Sequence, residues 1–116
     1  MSRIRNIAFS EGETWVIDAT YNDSEGNPLD LTGSSIQWAV ATRPGQTPIV
    51  TATTGNGLIT ITDAVAGEAE IVVPYANHSA ALPRLYQHES RVTLASGEVT
   101  VQFRGKLRVY DSIYVV

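Results

Sequence analysis

The residues whose types could carry out chemistry form no catalytic or metal-binding pattern. The sequence has two histidines, His78 and His88, and no cysteine, which excludes zinc–thiolate sites, iron–sulfur clusters and cysteine nucleophiles. No third ligand stands at a recognisable spacing from either histidine, and no G-x-S-x-G turn supports a Ser-His-Asp triad. We therefore predict a protein that is not an enzyme and that holds no metal or cofactor.

A segment rich in carboxylates is the part of the chain most similar to a cation site. Asp23, Glu25, Asn27 and Asp30 lie close together. Gly26, however, comes too early for an EF-hand loop, and Ser34 occupies the place of its bidentate glutamate. Asp, Asn, Gly and Pro are also typical of hairpin loops, where their backbone conformations are needed. We favour a loop over a calcium site.

A row of cations is the clearest surface feature. Arg104, Lys106 and Arg108 occupy polar positions of one predicted strand, and Arg91 lies on the arm that precedes it. Such a row can bind a phosphate, a sulfated sugar or an acidic protein surface. It can also be a solvated face, partly neutralised by Glu89, whose charges discourage aggregation at a sheet edge. The second interpretation is favoured.

These cations are positioned by a predicted β-hairpin from Leu85 to Val109. In its second arm the odd positions are apolar or glycine and the even positions are polar, which is the period of a strand with one buried face. A two-residue loop at Ser96-Gly97 would place Val99 on the buried face and His88 opposite Gly105, where the missing side chain leaves room for a ring.

The rest of the sequence predicts short strands separated by turns. Residues 1–10 form an edge strand or an arm with a change of face near Asn6, and residues 75–82, bounded by two prolines, form one short helical segment. Further strands are predicted over residues 14–21, 35–41, 49–53, 58–62 and 68–73. About seven to nine strands at this spacing predict an all-β chain folded as one antiparallel sandwich or barrel domain over residues 1–116.

Composition and charge restrict the partners. The chain is 43% hydrophobic and 17% charged, with a formal net charge of −4. This balance suits a globular domain and disfavours sequence-independent binding to nucleic acid or to an anionic membrane. The N-terminal region has no apolar run typical of a secretory signal, and no 18-residue apolar stretch is present. We expect folding in the cytoplasm where the protein is made, without nucleic-acid or membrane contacts.

The run from Asp23 to Gly33, D-S-E-G-N-P-L-D-L-T-G, is the most specific motif. It resembles the D-x-x-G-x-P-x-D-L-T-G segment that joins the second and third strands in small β-sandwich modules of tailed bacteriophages and prophages, similar to the N-terminal domain of phage baseplate upper proteins. Gly12–Trp15, Ile36–Trp38, Gly57–Ile61 and Gly105–Val109 fit the same modules. The resemblance implies an Ig-like β-sandwich, a virion building block that docks to other tail or baseplate proteins.

Backbone chemistry indicates a structural role for this motif. Gly26 and Gly33 can adopt positive φ, Pro28 fixes its own φ, and Asp30 can accept hydrogen bonds from nearby amides in an Asx-type turn. We predict that these four residues set the geometry of a crossover between strands.

The resemblance implies a structural virion protein, with other phage tail or baseplate proteins as partners and a homo-oligomer in the particle. The candidate interaction surface comprises Arg91, Arg104, Lys106, Arg108, Ile113, Tyr114, Val115 and Val116. The apolar tail at its end can instead complete the domain's own core. Glu68 and Glu70, on another outward face, would complement the cations between copies.

A carbohydrate-binding module and a bacterial surface adhesin subunit are the alternative functions. Sugar binding by a β-sandwich needs a planar row of exposed aromatic side chains. Trp15, Trp38 and Tyr86 are predicted to face inward, which counts against this alternative. The aromatic residues that remain free for such a role are Tyr21, Tyr75, Tyr110 and Tyr114.

Overall fold

Nearly all regular structure in the computed structural model, which describes residues 3–113, is β-strand. The strands of this part of the chain are β1 (Arg3–Ile4), β2 (Ile7–Ser10), β3 (Trp15–Thr20), β4 (Ser35–Ala41), β5 (Val50–Thr53), β6 (Ile59–Asp63), β7 (Glu68–Val73), β8 (Arg84–Thr93) and β9 (Val99–Tyr110). One helical turn, α1 (Tyr75–His78), is shorter than the segment predicted over 75–82. No helix in the described residues has the length and apolar character to cross a membrane.

The strands form two sheets that pack face to face. The larger sheet has the order β1-β9-β8-β4-β5, with β2 also paired to β9, and the smaller sheet has the order β3-β7-β6. Inward side chains of both sheets make one core, which includes the fully buried Trp15, Trp38, Phe103 and Leu107. Burying each such large side chain contributes about 1.5–3 kcal/mol relative to exposure. The prediction of an all-β sandwich is confirmed.

The N-terminal strands are parallel to their neighbour, whereas the other strand pairs are antiparallel. Arg3 lies opposite Phe103 and Ile7 opposite Leu107, so the register is the same on both sides of Asn6. The expected change of face near Asn6 is therefore wrong, and the structure has only a break in the strand there. The arginines of this arm are not fully buried, and their guanidinium groups donate to backbone carbonyls of β3.

The β8–β9 hairpin has a longer loop than predicted. The Leu94 N–H donates to the Glu98 carbonyl at 2.8 Å, which leaves three residues in the loop, and Gly97 has a φ of +94°. Three-residue hairpin loops commonly place glycine in this left-handed conformation. Pairing next to the loop is therefore displaced by one residue, so that Thr93 lies opposite Val99.

A β-bulge at Gln102 removes this displacement. Arg91 pairs with Val101 although the pairs farther from the loop keep the predicted register, so Gln102 is the extra residue. Its side chain is buried and accepts the Asn22 N–H at 3.1 Å. An extra residue reverses the faces of a strand. Val99 is consequently 52% exposed, and its predicted inward position is wrong.

The motif segment connects β3 to β4. Gly26 and Gly33 have φ values of +85° and +72°, and Pro28 forms an isolated antiparallel bridge that closes the turn. One Asp30 carboxylate oxygen accepts the Thr32 hydroxyl at 2.6 Å and the Thr32 N–H at 3.0 Å. These two hydrogen bonds lower the pKa of Asp30. All four residues of the predicted structural turn thus lie in this one connection.

A path of hydrogen bonds crosses the larger sheet from β4 to the N-terminal arm. Trp38 Nε1–H donates to His88 Nδ1 at 3.1 Å, and His88 Nε2–H donates to the Arg5 carbonyl at 2.6 Å. Because an indole nitrogen is only a donor, Nδ1 must accept, which requires the neutral imidazole with its proton on Nε2. Gly105 faces His88 as predicted, and a Cβ at Gly105 would collide with the Arg5 carbonyl and lie 2.8 Å from Asn6 Oδ1.

We predict that Gly105→Ala destabilises the protein because the added methyl displaces the arm. The expected loss in free energy of unfolding is about 1–3 kcal/mol, as for other overpacked sites, measured by urea denaturation. Gly55→Ala is the matched control, since a Cβ there would meet only Thr53 Oγ1 at an ordinary 3.7 Å. Equal stabilities of the two variants would contradict the prediction.

Burial of His88 predicts a dependence of stability on pH. Burial lowers the pKa of His88 below its ordinary 6.5, the Arg5 guanidinium lowers it further, and the hydrogen bond to the Arg5 carbonyl opposes both. The unfolded chain therefore binds more protons than the folded protein in this range. The contribution of His88 to stability is present above about pH 6.5 and is lost as pH falls through the folded pKa.

We expect the free energy of unfolding to increase between about pH 5 and pH 7, and His88→Gln to remove this slope. Urea denaturation at several pH values measures it. The pKa of Asp30 is also lowered, from its ordinary 3.8. Protonation of Asp30 therefore changes the stability only below about pH 4, outside this window. A slope of unchanged size in the variant would show that His88 is not its source.

Candidate interaction surface

The structure brings the four predicted cations together on the outward face of the larger sheet. Arg104, Lys106 and Arg108 alternate along β9, and Arg91 lies on the adjacent β8. All four side chains are exposed. We call the surface formed by these four residues the basic face.

The basic face does not lie along a sheet edge. β1 and β2 pair with one side of β9, and β8 pairs with the other side. Charges that discourage aggregation act on strands whose backbone groups are unpaired. That explanation, which the sequence favoured for Arg104, Lys106 and Arg108, therefore does not apply to β9. The remaining interpretations are a solvated face and a contact surface.

Part of the charge on the basic face is neutralised internally. Arg91 Nη2 donates to Glu89 at 2.7 Å, which is the one ion pair found within residues 3–113. Glu89 lies opposite Arg104 in the strand register, yet Arg104, Lys106 and Arg108 make no ion pair with the described residues. The face therefore keeps a net positive charge.

The basic face has no deep pocket among the described residues, only an open depression. Ala39 and Ala41 of β4 give it a floor of small side chains, over which an open depression of about 300 Å³ extends beside Arg91 and Arg104. Pockets for small ligands usually enclose most of the ligand surface. An open, charged depression suits a broad partner surface better than a small molecule.

One end of the basic face adds apolar contacts. Leu85 is 41% exposed and Tyr110 is 53% exposed, and together with Lys106 and Arg108 they line a depression of about 310 Å³. The Arg108 guanidinium lies 5.5 Å from the Tyr110 ring centroid, within range of a cation–π interaction. Tyrosine and arginine are the residue types that protein interfaces favour.

The outward face of the smaller sheet has the opposite charge. Asp18 lies opposite Glu70 across β3 and β7, and Glu68 lies opposite Asp63 across β7 and β6. The three strands contain no lysine or arginine. We call the surface formed by Asp18, Asp63, Glu68 and Glu70 the acidic face. Asp18 and Asp63 were not predicted from the sequence, although a count of charge signs for each predicted strand identifies them.

Ile113, the one described residue of the predicted apolar tail, does not extend the basic face. Ile113 is 94% exposed and lines a different depression, together with Glu11, Glu13 and Asp111. The other residues of the predicted apolar tail lie outside the described residues: Tyr114, Val115 and Val116. Partner contact through this tail stays a prediction.

The residues considered for metal or catalytic chemistry make structural contacts. One Asp23 carboxylate oxygen accepts two loop amides, both at 2.9 Å. His78 is buried, stacks on Trp15 with ring centroids 4.0 Å apart, and donates Nε2–H to the Glu13 carbonyl at 2.7 Å. Within residues 3–113, no group of three His, Cys, Asp or Glu side chains is arranged to hold a metal ion.

Aromatic side chains form no exposed row on the described residues. Tyr21, expected to be free, is instead fully buried in the core. Its buried hydroxyl donates to Ser90 at 2.9 Å, and Ser90 donates to the Gln37 carbonyl. Burial raises the pKa of Tyr21 to about 12 against the opposing hydrogen bond. Tyr75 in α1 and Tyr110 at the end of β9 are the exposed aromatics.

Comparison with solved structures finds immunoglobulin-like domains. A chicken TCR is similar with a TM-score of 0.56 and 17% identity, covering 96% of this chain and 55% of the TCR chain, so this chain spans about half of that length. Murine CRIg (TM-score 0.44, 11% identity) and the Ig1 domain of mouse SynCAM 2 (0.41, 18%) each align over 92% of both chains. No protein-family model matches the sequence, and no curated protein matches it.

The strand neighbours agree with those of an immunoglobulin domain. The smaller sheet, β3-β7-β6, has the order of strands B, E and D, and β9-β8-β4-β5 has the order of strands G, F, C and C′. Tyr86 near the start of β8 donates its hydroxyl to the Leu82 carbonyl at 2.6 Å, as in the tyrosine corner of such domains. The protein is therefore an Ig-like β-sandwich.

Proposed function

We propose that this chain is a structural, non-enzymatic protein of a tailed phage or prophage particle, and that it acts through protein–protein contacts. The observation that carries the proposal is the basic face. Three of its cations lie on β9 and Arg91 lies on β8. Both strands are paired on both sides, so these cations do not serve to protect a sheet edge. Three of them have no ion pair among the described residues, which leaves them available to a partner.

The chemistry of the face favours a protein partner with an acidic surface. Arg91, Arg104, Lys106 and Arg108 provide positive charge, and the exposed Leu85 and Tyr110 provide apolar area beside it. Charge complementarity steers association and sets orientation, whereas apolar and aromatic contacts supply much of the affinity. Other tail or baseplate proteins are the proposed partners.

The phage setting of the proposal rests on the resemblance of residues 23–33 to phage modules. In the structure, Gly26, Asp30 and Gly33 set the backbone conformation of the β3–β4 connection. The segment does not contribute side chains to a pocket with catalytic groups. Such a motif keeps the path between two strands constant, which a structural protein needs in order to present the same surface in every copy. The carbohydrate-binding alternative receives less support, because the exposed Tyr75 and Tyr110 lie on different elements.

The proposal predicts that the chain is a component of purified particles. Particles are induced from a host that carries the gene, banded by density, and analysed by quantitative mass spectrometry. We expect several copies of the chain in each particle, and we expect Arg104→Glu/Arg108→Glu to reduce incorporation at least about tenfold, since like charges would then meet across the contact.

The control for this experiment is Glu25→Lys/Glu98→Lys, which changes two exposed loop carboxylates away from the basic face and should leave incorporation unchanged. Circular dichroism establishes that each variant folds. Absence of the wild-type chain from particles would overturn the proposal, and specific binding on a glycan array would then favour the carbohydrate-binding alternative.

A further inference from the structure

We infer that the basic face of one copy stacks on the acidic face of a second copy of this chain, head to tail. This inference specifies one partner within the proposed function and rests on it. It follows from the separation of charge between the two sheets, from the direction in which the two faces point, and from the apolar residues beside them.

Charge is separated between the two outer faces of the sandwich. The acidic face has four carboxylates on strands without lysine or arginine, whereas the basic face has four cations against the single carboxylate of Glu89. Arg3 and Arg5 reach from the N-terminal arm to the smaller sheet, where they donate to the backbone carbonyls of Thr20 and Asp18. The acidic carboxylates make no ion pair with the described residues, so their charge remains available.

The two faces point away from each other, because each is the outer surface of one of two packed sheets. A contact between unlike faces therefore leaves a free basic face on one copy and a free acidic face on the other. Such heterologous contacts build rings or open stacks. A two-fold dimer through either face alone would bring like charges together, which disfavours it.

Apolar residues lie beside the charges on both faces. On the acidic face Val16 is 49% exposed, next to Asp18 along β3. On the basic face Leu85 and Tyr110 are exposed near Arg108. The described chain has Cα extents of 44 × 24 × 22 Å, so a broad face is large enough for the roughly 800 Å² that each partner buries in a standard interface.

The net charge of −4 makes two copies repel in most orientations, whereas unlike faces attract at short range. Screening shortens the range of these interactions to about 10 Å at 0.1 M salt and about 3 Å at 1 M. Head-to-tail stacking should therefore weaken as salt increases. An interface of mainly apolar contacts would instead persist or strengthen.

Sedimentation velocity across a concentration series tests the inference, at about 0.05 M and about 0.5 M salt. We expect the wild-type chain to associate at low salt and to dissociate at high salt. Glu68→Lys/Glu70→Lys neutralises the acidic face, because two lysines then balance Asp18 and Asp63, and leaves the basic face intact. Arg104→Glu/Arg108→Glu makes the basic face acidic, because the two new glutamates and Glu89 then outnumber Arg91 and Lys106, and leaves the acidic face intact. Each variant alone should associate at least about tenfold more weakly than the wild type.

The decisive sample is an equimolar mixture of these two variants, in which the intact basic face of the first can stack on the intact acidic face of the second. We expect mixing to restore pairing between one copy of each variant, with an affinity within about threefold of the wild-type contact. The loop variant Glu25→Lys/Glu98→Lys makes the same charge change as the first variant but away from both faces, and it should behave as the wild type.

A wild-type chain that stays monomeric in all conditions, or a mixture that fails to associate when both variants are folded, would overturn the stacking inference. Either result combined with abundant chain in purified particles would leave the proposed function standing. Absence of the chain from particles would overturn the proposed function independently of the sedimentation result.

Discussion

The hydrogen-bonded path from Trp38 through His88 to the Arg5 carbonyl is the constraint on which the larger sheet depends. It joins β4 and β8 to the N-terminal arm across Gly105 of β9. A Cβ added at Gly105 would collide with the Arg5 carbonyl. A second proton on the His88 ring, at Nδ1, would face the Trp38 Nε1–H, so that two donors would meet. His88 stands two residues after the tyrosine-corner residue, where antibody domains carry a cysteine of the core disulfide. That disulfide joins the two sheets, whereas the hydrogen bonds of His88 join strands within the larger sheet.

The position of the arm decides what the last strand presents to solvent. With β1 and β2 paired to it, β9 is an inner strand. Its alternation then divides the side chains cleanly: Phe103, Leu107 and Val109 enter the core, and Arg104, Lys106 and Arg108 form the basic face. If the arm were released, the same cations would border an open edge. The anchoring of Arg5 by His88 and the presentation of a contact surface are therefore two consequences of one arrangement.

Local patterns in the sequence predicted most of the elements, because alternation over one strand is a local property. β4 and β7 have the predicted bounds, and the four cations lie together as their parity indicated. The errors concern contacts between distant residues or single insertions. Nothing in residues 1–10 indicates that Arg5 meets His88, 83 positions later. The bulge at Gln102 compensates a loop one residue longer than predicted, and alternation alone does not reveal it. The acidic face combines residues of three strands, and only Glu68 and Glu70, which share one strand, were predicted from the sequence.

The protonation state of the His88 ring tests most directly whether the path from Trp38 to the N-terminal arm is formed. Nitrogen-15 NMR of the imidazole at pH 7 distinguishes a neutral ring protonated on Nε2, a neutral ring protonated on Nδ1, and the imidazolium. We expect the Nε2–H tautomer, with slow exchange of that proton because the Arg5 carbonyl accepts it at 2.6 Å. An imidazolium, or a proton on Nδ1, would contradict the path from Trp38 to the arm and with it the explanation of how β9 is covered.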